Sequence, residues 1–134
     1  MKVSLDTNVL VSAFGTRGLC ADILHVVLAE HELIIGEAVL TETRRVLTTK
    51  FGVPTATVDE VDALLRQQSR VVTNAPRVGM RLRDADDVLI LSEAVAGGAE
   101  VLVTGDRDLL AVAGKAPLAI VTPRGFWEMV RGGG

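Results

Sequence analysis

The sequence contains little of what several classes of protein depend on. One cysteine occurs among the 134 residues, so no internal disulfide can form, and aromatic residues make up 3% of the chain. So few rings exclude nucleic-acid recognition by several stacked aromatic side chains. Acidic residues outnumber basic ones and the net charge is −3, so the overall field does not attract a polyanion. A polyanionic substrate therefore requires a local basic rim or bound cations.

Long apolar runs are also missing. No stretch of about 18 apolar residues occurs, and Asp6 interrupts the first apolar run. These patterns predict neither a membrane span nor a signal sequence, and with the single cysteine they favour a cytoplasmic protein. Hydrophobic residues at 49% and charged residues at 23% are typical of a globular domain. We expect one domain over residues 1–131, followed by a glycine tail at 132–134.

Short apolar segments alternate with stretches of helical spacing. Five of them predict strands, and they are, in chain order, KVSL, ELIIG, RVVTN, VLVTG and PLAIVT. Helical spacing lies between them, for example at Ala21, Leu24 and Val27. Parallel strands need helical crossovers, and strands buried on both faces become nearly continuous apolar runs. The pattern therefore predicts an α/β fold with a parallel sheet covered on both faces.

Carboxylates follow two of the predicted strands and lead one of the predicted helices. Asp6 directly follows KVSL, Asp106 follows VLVTG, and Asp87 begins the apolar stripe of RDADDVLILSEA. A fourth carboxylate, Glu42, shares a helix face with apolar residues and is expected to point toward them. In open α/β sheets the loops after the carboxyl ends of the strands build the site. We therefore expect several of these carboxylates at one edge of the sheet.

Each carboxylate also has an ordinary structural explanation. Aspartate at a strand-to-helix junction is a common N-cap, and Asp84 and Asp86 precede or begin a first turn, where the helix dipole favours negative charge. Glu42 can instead lie at the rim and pair with Arg45 one turn further on. The combination favours a shared site, because repulsion between carboxylates at one edge is relieved only by protons or cations.

The ligand types indicate which cation such a site binds. Carboxylates recur at the candidate positions, whereas His25 and His31 lie away from every acidic motif and are expected to be surface or packing residues. Oxygen ligands favour Mg²⁺ or Mn²⁺ over a structural zinc. Such ions lower the pKa of bound water and stabilise both oxygens of an in-line phosphoryl displacement. The predicted chemistry is phosphodiester hydrolysis.

Four segments carry a resemblance to a known family. In order and approximate separation, VSLDTNVLVSAF, LTETRRVL, DADDVLILSEA and VLVTGDRDLL resemble the PIN-domain ribonucleases, particularly the VapC-like toxins of bacterial toxin–antitoxin pairs. The resemblance spans nearly the whole chain. It implies a three-layer α/β/α fold with a central parallel sheet in the order 3-2-1-4-5, which brings the first and fourth strands together.

The resemblance also implies roles for individual residues. It places the family's acids on Asp6, Glu42, Asp87 and Asp106, which would hold one or two metal ions, with Glu42 either a ligand or the group that orients the attacking water. Ala85 stands where many relatives have proline, which leaves open which of the neighbouring aspartates enters the site. The supporting positions are Asn8, Asp84, Thr104 and Asp108.

Substrate and partners follow from the same resemblance. It implies cleavage of single-stranded RNA, binding of a cognate antitoxin protein, and a homodimer. Phe126, Trp127 and Met129 near the C-terminus are candidates for these protein contacts, with a place in the core as the alternative, which is usual for apolar residues at helical spacing. Candidates for phosphate contacts, against the alternative of an ordinary solvated face, are Arg17, Arg44, Arg45 and Arg107.

Rival functions fit less well. A haloacid-dehalogenase-like phosphatase needs a second aspartate where this chain has Asn8, and a P-loop fails because Lys115 is followed by alanine. A catalytically weak PIN-like scaffold that acts by binding a partner protein remains the alternative. The presence of all four acids argues against it.

Overall fold

Five parallel strands form one sheet in the computed structural model, which describes residues 1–132. The sheet order is β3-β2-β1-β4-β5, which confirms the predicted order. All five predicted strands are confirmed, since one strand forms at each apolar run. The strands are β1 (Lys2–Leu5), β2 (Glu32–Gly36), β3 (Ser69–Val72), β4 (Val101–Val103) and β5 (Ala119–Val121).

Seven α-helices connect and flank these strands in the described part of the chain. Right-handed crossovers place the helices before β3 on one face of the sheet and the helices on either side of β4 on the other, which gives three layers. The helices are α1 (Thr7–Gly15), α2 (Leu19–Glu30), α3 (Glu37–Thr49), α4 (Thr55–Gln68), α5 (Ala85–Ala96), α6 (Arg107–Ala111) and α7 (Pro123–Trp127).

The C-terminus differs from the predicted tail. A π-helical turn, Glu128–Gly132, follows α7, so Gly132 belongs to a helical turn rather than to a tail. The rest of the predicted tail, residues 133–134, lies outside the described residues.

The core consists of apolar side chains packed between the sheet and the helices. Its largest buried members come from strands and helices alike and include Leu5, Leu10, Ile34, Leu91, Leu102 and Phe126. Phe126 is 0% exposed, so of its two predicted roles, core residue or partner contact, the structure bears out the core role. Trp127 also packs partly against the core, whereas Met129 is exposed.

No described helix is by itself long and apolar enough to cross a membrane. The pair α1 and α2 reaches the necessary length and composition together, but the two helices are bent by 104° at their junction.

From β1 the chain adds β2 and β3 on one side of the sheet, and then β4 and β5 on the other side. The strand order therefore reverses between β1 and β4, which are neighbours in the sheet. Ligand sites of open α/β sheets lie at this switch point, beside the carboxyl ends of the strands. The pairing continues past β1, because the backbone N–H of Asp6 donates to the carbonyl of Val103 at 2.9 Å. The residues that follow β1 and β4 are therefore held next to one another.

Candidate active site

Asp6 follows β1 at the switch point and is 5% exposed. It is the N-cap of α1, since its Oδ1 accepts a hydrogen bond from the Thr7 N–H at 2.7 Å. Its Oδ2 accepts from the Thr104 hydroxyl, also at 2.7 Å. Burial raises the pKa of Asp6, against the lowering effect of these hydrogen bonds, and the charges of Asp106 and Glu42 raise it further. Asp6 therefore caps α1 and also carries a negative charge that its surroundings disfavour.

Thr104 connects Asp6 to Asp106 across the two strand ends. The same hydroxyl that donates to Asp6 accepts a hydrogen bond from the backbone N–H of Asp106 at 2.9 Å. Asp106 in turn caps α6, with its Oδ1 accepting from the N–H groups of Asp108 and Leu109 at 2.8 and 3.1 Å. Its Oδ2 accepts no hydrogen bond within residues 1–132 and is free for a ligand.

Asp87 lies in the first turn of α5 and is 6% exposed. Within the described chain its carboxylate accepts no hydrogen bond. Burial raises the pKa of Asp87 to about 6, with the negative charges of Asp106 and Asp84 as the next largest causes. The charged form of this carboxylate is therefore disfavoured, and a proton or a cation would relieve it.

Three carboxylates meet at this point, and we call Asp87, Asp106 and Asp108 the acidic cluster. One carboxylate oxygen from each lies within 4.8 Å of the others. Oxygen donors alone, at this proximity, are the set that Mg²⁺ or Mn²⁺ takes in proteins. The residues present therefore fit the predicted kind of cation, and Asp108, expected only as a supporting group, lies inside the cluster.

The three aspartates of DADD have different surroundings. Asp84 is the N-cap of α5, with its Oδ1 accepting from the Asp86 N–H at 2.9 Å. Asp86 is exposed in the first turn. Of the three, Asp87 alone joins the acidic cluster in the part of the chain that the structure describes. The capping explanation thus holds for Asp84, and helix geometry turns Asp87 toward the sheet.

Glu42 lies at the rim of the site, on α3. Its Oε1 is 3.0 Å from Nη2 of Arg45 and its side chain is 36% exposed, so the expectation that it points toward apolar neighbours is wrong. An ion pair in water is less costly than an unpaired buried carboxylate, which explains the outward direction. Glu42 lines a cleft of about 380 Å³ between α3 and α5, together with Arg45 and Asp86.

The remaining predicted positions lie outside the acidic cluster. Asn8 is exposed in the first turn of α1 and makes no hydrogen bond to the four acids within residues 1–132. His25 is exposed, and His31 packs edge-on against Phe126 with ring centroids 6.3 Å apart. The histidines are therefore surface and packing residues, as expected.

Glu93 is a buried carboxylate that sequence reasoning missed. It lies on α5, is 4% exposed, and accepts from the N–H of Ala38 in the first turn of α3, at 3.1 Å for Oε1 and 3.3 Å for Oε2. Burial raises the pKa of Glu93, and the hydrogen bond from Ala38 offsets only part of this rise. The sequence signal for its burial was its position three residues after Ile90, which places the two side chains on the same face of the predicted helix. Glu93 ties the helix that carries Asp87 to the helix that carries Glu42.

Comparison with known proteins agrees with this fold. A family model described as PIN domain matches residues 2–108. Two solved structures are similar, VapBC2 from Rickettsia felis bound to a DNA fragment from their promoter, and VapBC-1 from nontypeable Haemophilus influenzae. Each is 17% identical with a TM-score of 0.65; the first match covers 91% of this chain and 98% of the other, and the second covers 92% and 99%. The likeness to these structures establishes the fold. No curated protein matches the sequence.

Proposed function

Because the chain belongs to the PIN-domain family, we propose that it is a metal-dependent endoribonuclease that hydrolyses phosphodiester bonds of single-stranded RNA. The observation that carries the proposal is the acidic cluster, with three carboxylate oxygens within 4.8 Å beside buried Asp6. Such a group of carboxylates opposes folding unless it binds a cation. The proposed cofactor is Mg²⁺ or Mn²⁺, and the proposed unit is the domain of residues 1–131, acting in the cytoplasm, where RNA is present.

The roles of the residues follow from their surroundings. Asp87 and Asp106, with Asp108, are the groups that would hold the cation, and Asp6 supplies the fourth carboxylate. A bound Mg²⁺ or Mn²⁺ lowers the pKa of water and stabilises both oxygens of an in-line displacement at phosphorus. The Thr104 hydroxyl fixes the carboxylate plane of Asp6, since it donates to one oxygen while the helix end donates to the other.

Glu42 acts from the rim of the cleft. Its negative charge contributes to the raised pKa of Asp6, as the smallest of the causes. We assign it the role of orienting the attacking water or of adding a further oxygen ligand. Its ion pair with Arg45 is solvent-exposed and contributes little stability, so the carboxylate is readily released toward a ligand.

Cleavage assays test this proposal. The purified protein is expected to cleave a mixed-sequence single-stranded RNA with Mg²⁺ or Mn²⁺, to stop when the metal is chelated, and to resume when Mn²⁺ is added in excess. Asp6→Asn is expected to abolish cleavage with an unchanged circular dichroism spectrum, whereas Asp22→Asn, an exposed acid on α2, is expected to cleave like the parent. Cleavage that survives chelation contradicts the proposal. A protein that binds a partner but never cleaves RNA supports the scaffold alternative.

We propose further that the protein is the toxin of a toxin–antitoxin pair and forms a homodimer. The names of the two similar solved structures, VapBC2 and VapBC-1, support the pairing. Co-expression with the product of the neighbouring reading frame is expected to give a stable complex, and light scattering after size exclusion should show more than one copy of this chain. A lone monomer contradicts the homodimer, and failure to co-purify contradicts the pairing.

A further inference from the structure

The segment between β3 and α5 presents three arginines to solvent. Residues 73–84 contain no helix or strand, and we call them the arginine strap. Arg77, Arg81 and Arg83 are all exposed. Across residues 1–132, no carboxylate lies within ion-pairing distance of any of the three. The strap therefore offers three positive charges that the fold itself does not neutralise.

Apolar residues between the arginines hold the strap against the domain. Val78, Met80 and Leu82 are partly buried and pack against the main core cluster. The backbone N–H of Val78 donates to the Oγ of buried Ser92 on α5 at 3.0 Å. Because these alternate side chains are packed inward, the arginines at the other positions of the alternation are exposed. The three charges belong to an anchored segment.

The strap leads directly into the acidic cluster. It begins after the carboxyl end of β3, at the same edge of the sheet as Asp6 and Asp106, and it ends at Asp84, the N-cap of α5. Arg83 is thus four residues before Asp87 in the chain. The carboxylates of the acidic cluster repel an approaching polyanion. Cations near the cluster are therefore needed to bind the polyanion there.

The arginines expected from the sequence do not fill this need. Arg44 is 2.7 Å from Asp59, and Arg45 lies 3.0 Å from Glu42, so each has an acidic neighbour that competes with phosphate. Arg17 is exposed and lies singly, and Arg107 is a single exposed cation between Asp106 and Asp108, whose carboxylates outnumber it. The strap supplies the basic rim that the net charge of −3 requires of a protein acting on RNA.

We infer that Arg77, Arg81 and Arg83 of the arginine strap bind the phosphate backbone of single-stranded RNA and lead it to the acidic cluster. This inference rests on the proposed function for the identity of the polyanion. Arginine contacts to phosphate carry no sequence information, so the strap contributes affinity and direction and leaves the choice of bases to other groups. Each phosphate contact releases counterions, which makes the contribution measurable through salt.

Binding of a fluorescent single-stranded RNA, measured by anisotropy in EDTA over a range of salt concentrations, tests the inference without cleavage. The variant R77Q/R81Q/R83Q is expected to bind more weakly, with a slope of log K against log salt that is shallower by about 2, from about 0.7 for each of three contacts. The single variant R81Q is expected to lose about 0.7. Circular dichroism checks that both variants remain folded.

The matched control is K2Q/R70Q/K115Q, which removes the same charge. These three cations lie at or just before the amino ends of β1, β3 and β5, the opposite edge of the sheet from the acidic cluster. The control is expected to keep nearly the parent slope. An unchanged slope in the strap variant, or an equal loss in the control, overturns the inference.

Two further outcomes separate this inference from the proposed function. If the parent cleaves RNA with metal but the strap variant keeps the parent slope, the strap assignment is wrong and the nuclease assignment stands. If the parent neither cleaves nor binds RNA, both are wrong. Stronger strap-dependent binding to duplex DNA of the same length overturns single-stranded RNA as the ligand.

Discussion

Replacing Asp87 with asparagine is expected to make the metal-free protein melt at a higher temperature while reducing its cleavage of RNA by about 100-fold or more. The two effects have one cause. Asp87 is buried, receives no hydrogen bond within the described residues and faces Asp106, so its charge opposes folding. Asparagine keeps the shape and removes the charge. A bound cation supplies several kcal/mol of transition-state stabilisation, and about 3 kcal/mol corresponds to about 100-fold in rate.

The dependence on pH identifies the group responsible. The pKa of Asp87 is about 6 in the folded protein, above the ordinary value of about 3.9. The folded state therefore holds this proton more tightly than the unfolded state, and stability declines as the pH rises from about 4 through 6. In EDTA, the melting midpoint of the parent should fall between pH 5 and pH 7 by more than that of Asp87→Asn.

The neighbouring aspartate provides the control for this comparison. Asp86 lies in the same turn of α5 but is exposed, so Asp86→Asn should lose a helix-dipole interaction of about 0.3 to 1 kcal/mol and melt no higher than the parent. If Asp87→Asn melts below the parent in EDTA at pH 7, the carboxylate stabilises the fold, and the repulsion described for the acidic cluster is wrong.

Gly36→Ala is expected to destabilise the fold by about 1 to 3 kcal/mol through overpacking. Gly36 ends β2 and is the N-cap of α3, with φ of −88°, so alanine is compatible with its backbone. The obstacle is space, because an added Cβ would overlap the Glu93 carboxylate and lie 2.6 Å from the Glu93 Cβ. Displacing Glu93 also removes the acceptor of the partly buried Ala38 N–H, and leaving that donor unpaired adds to the cost.

Thermal melts with a second glycine variant isolate this effect. Gly15 ends α1 and has open space around its Cβ position, so Gly15→Ala should be neutral or slightly stabilising. For a domain of this length, Gly36→Ala should lower the melting midpoint by about 3 °C or more for each kcal/mol. Equal midpoints for the two variants would mean that Glu93 moves freely and does not tie α5 to α3.

The sequence predicts most of the fold because its strands are short apolar runs whose ends are marked by polar residues. It also predicts that aspartates follow β1 and β4, but it presents capping and site formation as alternatives. In the structure one aspartate does both: Asp106 caps α6 through Oδ1 and also contributes a carboxylate oxygen to the acidic cluster. The choice among the aspartates of DADD required the actual start of α5, which shifts each side chain by 100° per residue.

Long-range contacts were beyond prediction from spacing. Nothing local marks Glu93 as the partner of Ala38, because the contact joins positions 55 apart in sequence. The strap shows an alternation of apolar and exposed residues, but it forms no strand, so its packing against the domain could not be assigned from that pattern. The outward turn of Glu42 likewise depends on Arg45 and on the cleft that α5 forms beside α3.

The hydrogen bond from Thr104 to Asp6 joins residues 98 positions apart, and it determines when the acidic site can first exist. During synthesis, β1 can pair with β2 once residue 36 has left the ribosome, but its other neighbour, β4, is made only at residues 101–103. A chain that stops before β4 has Asp6 without Thr104 or Asp106. Truncated products of translation therefore lack the assembled cluster, and the order of synthesis delays the site until the domain is nearly complete.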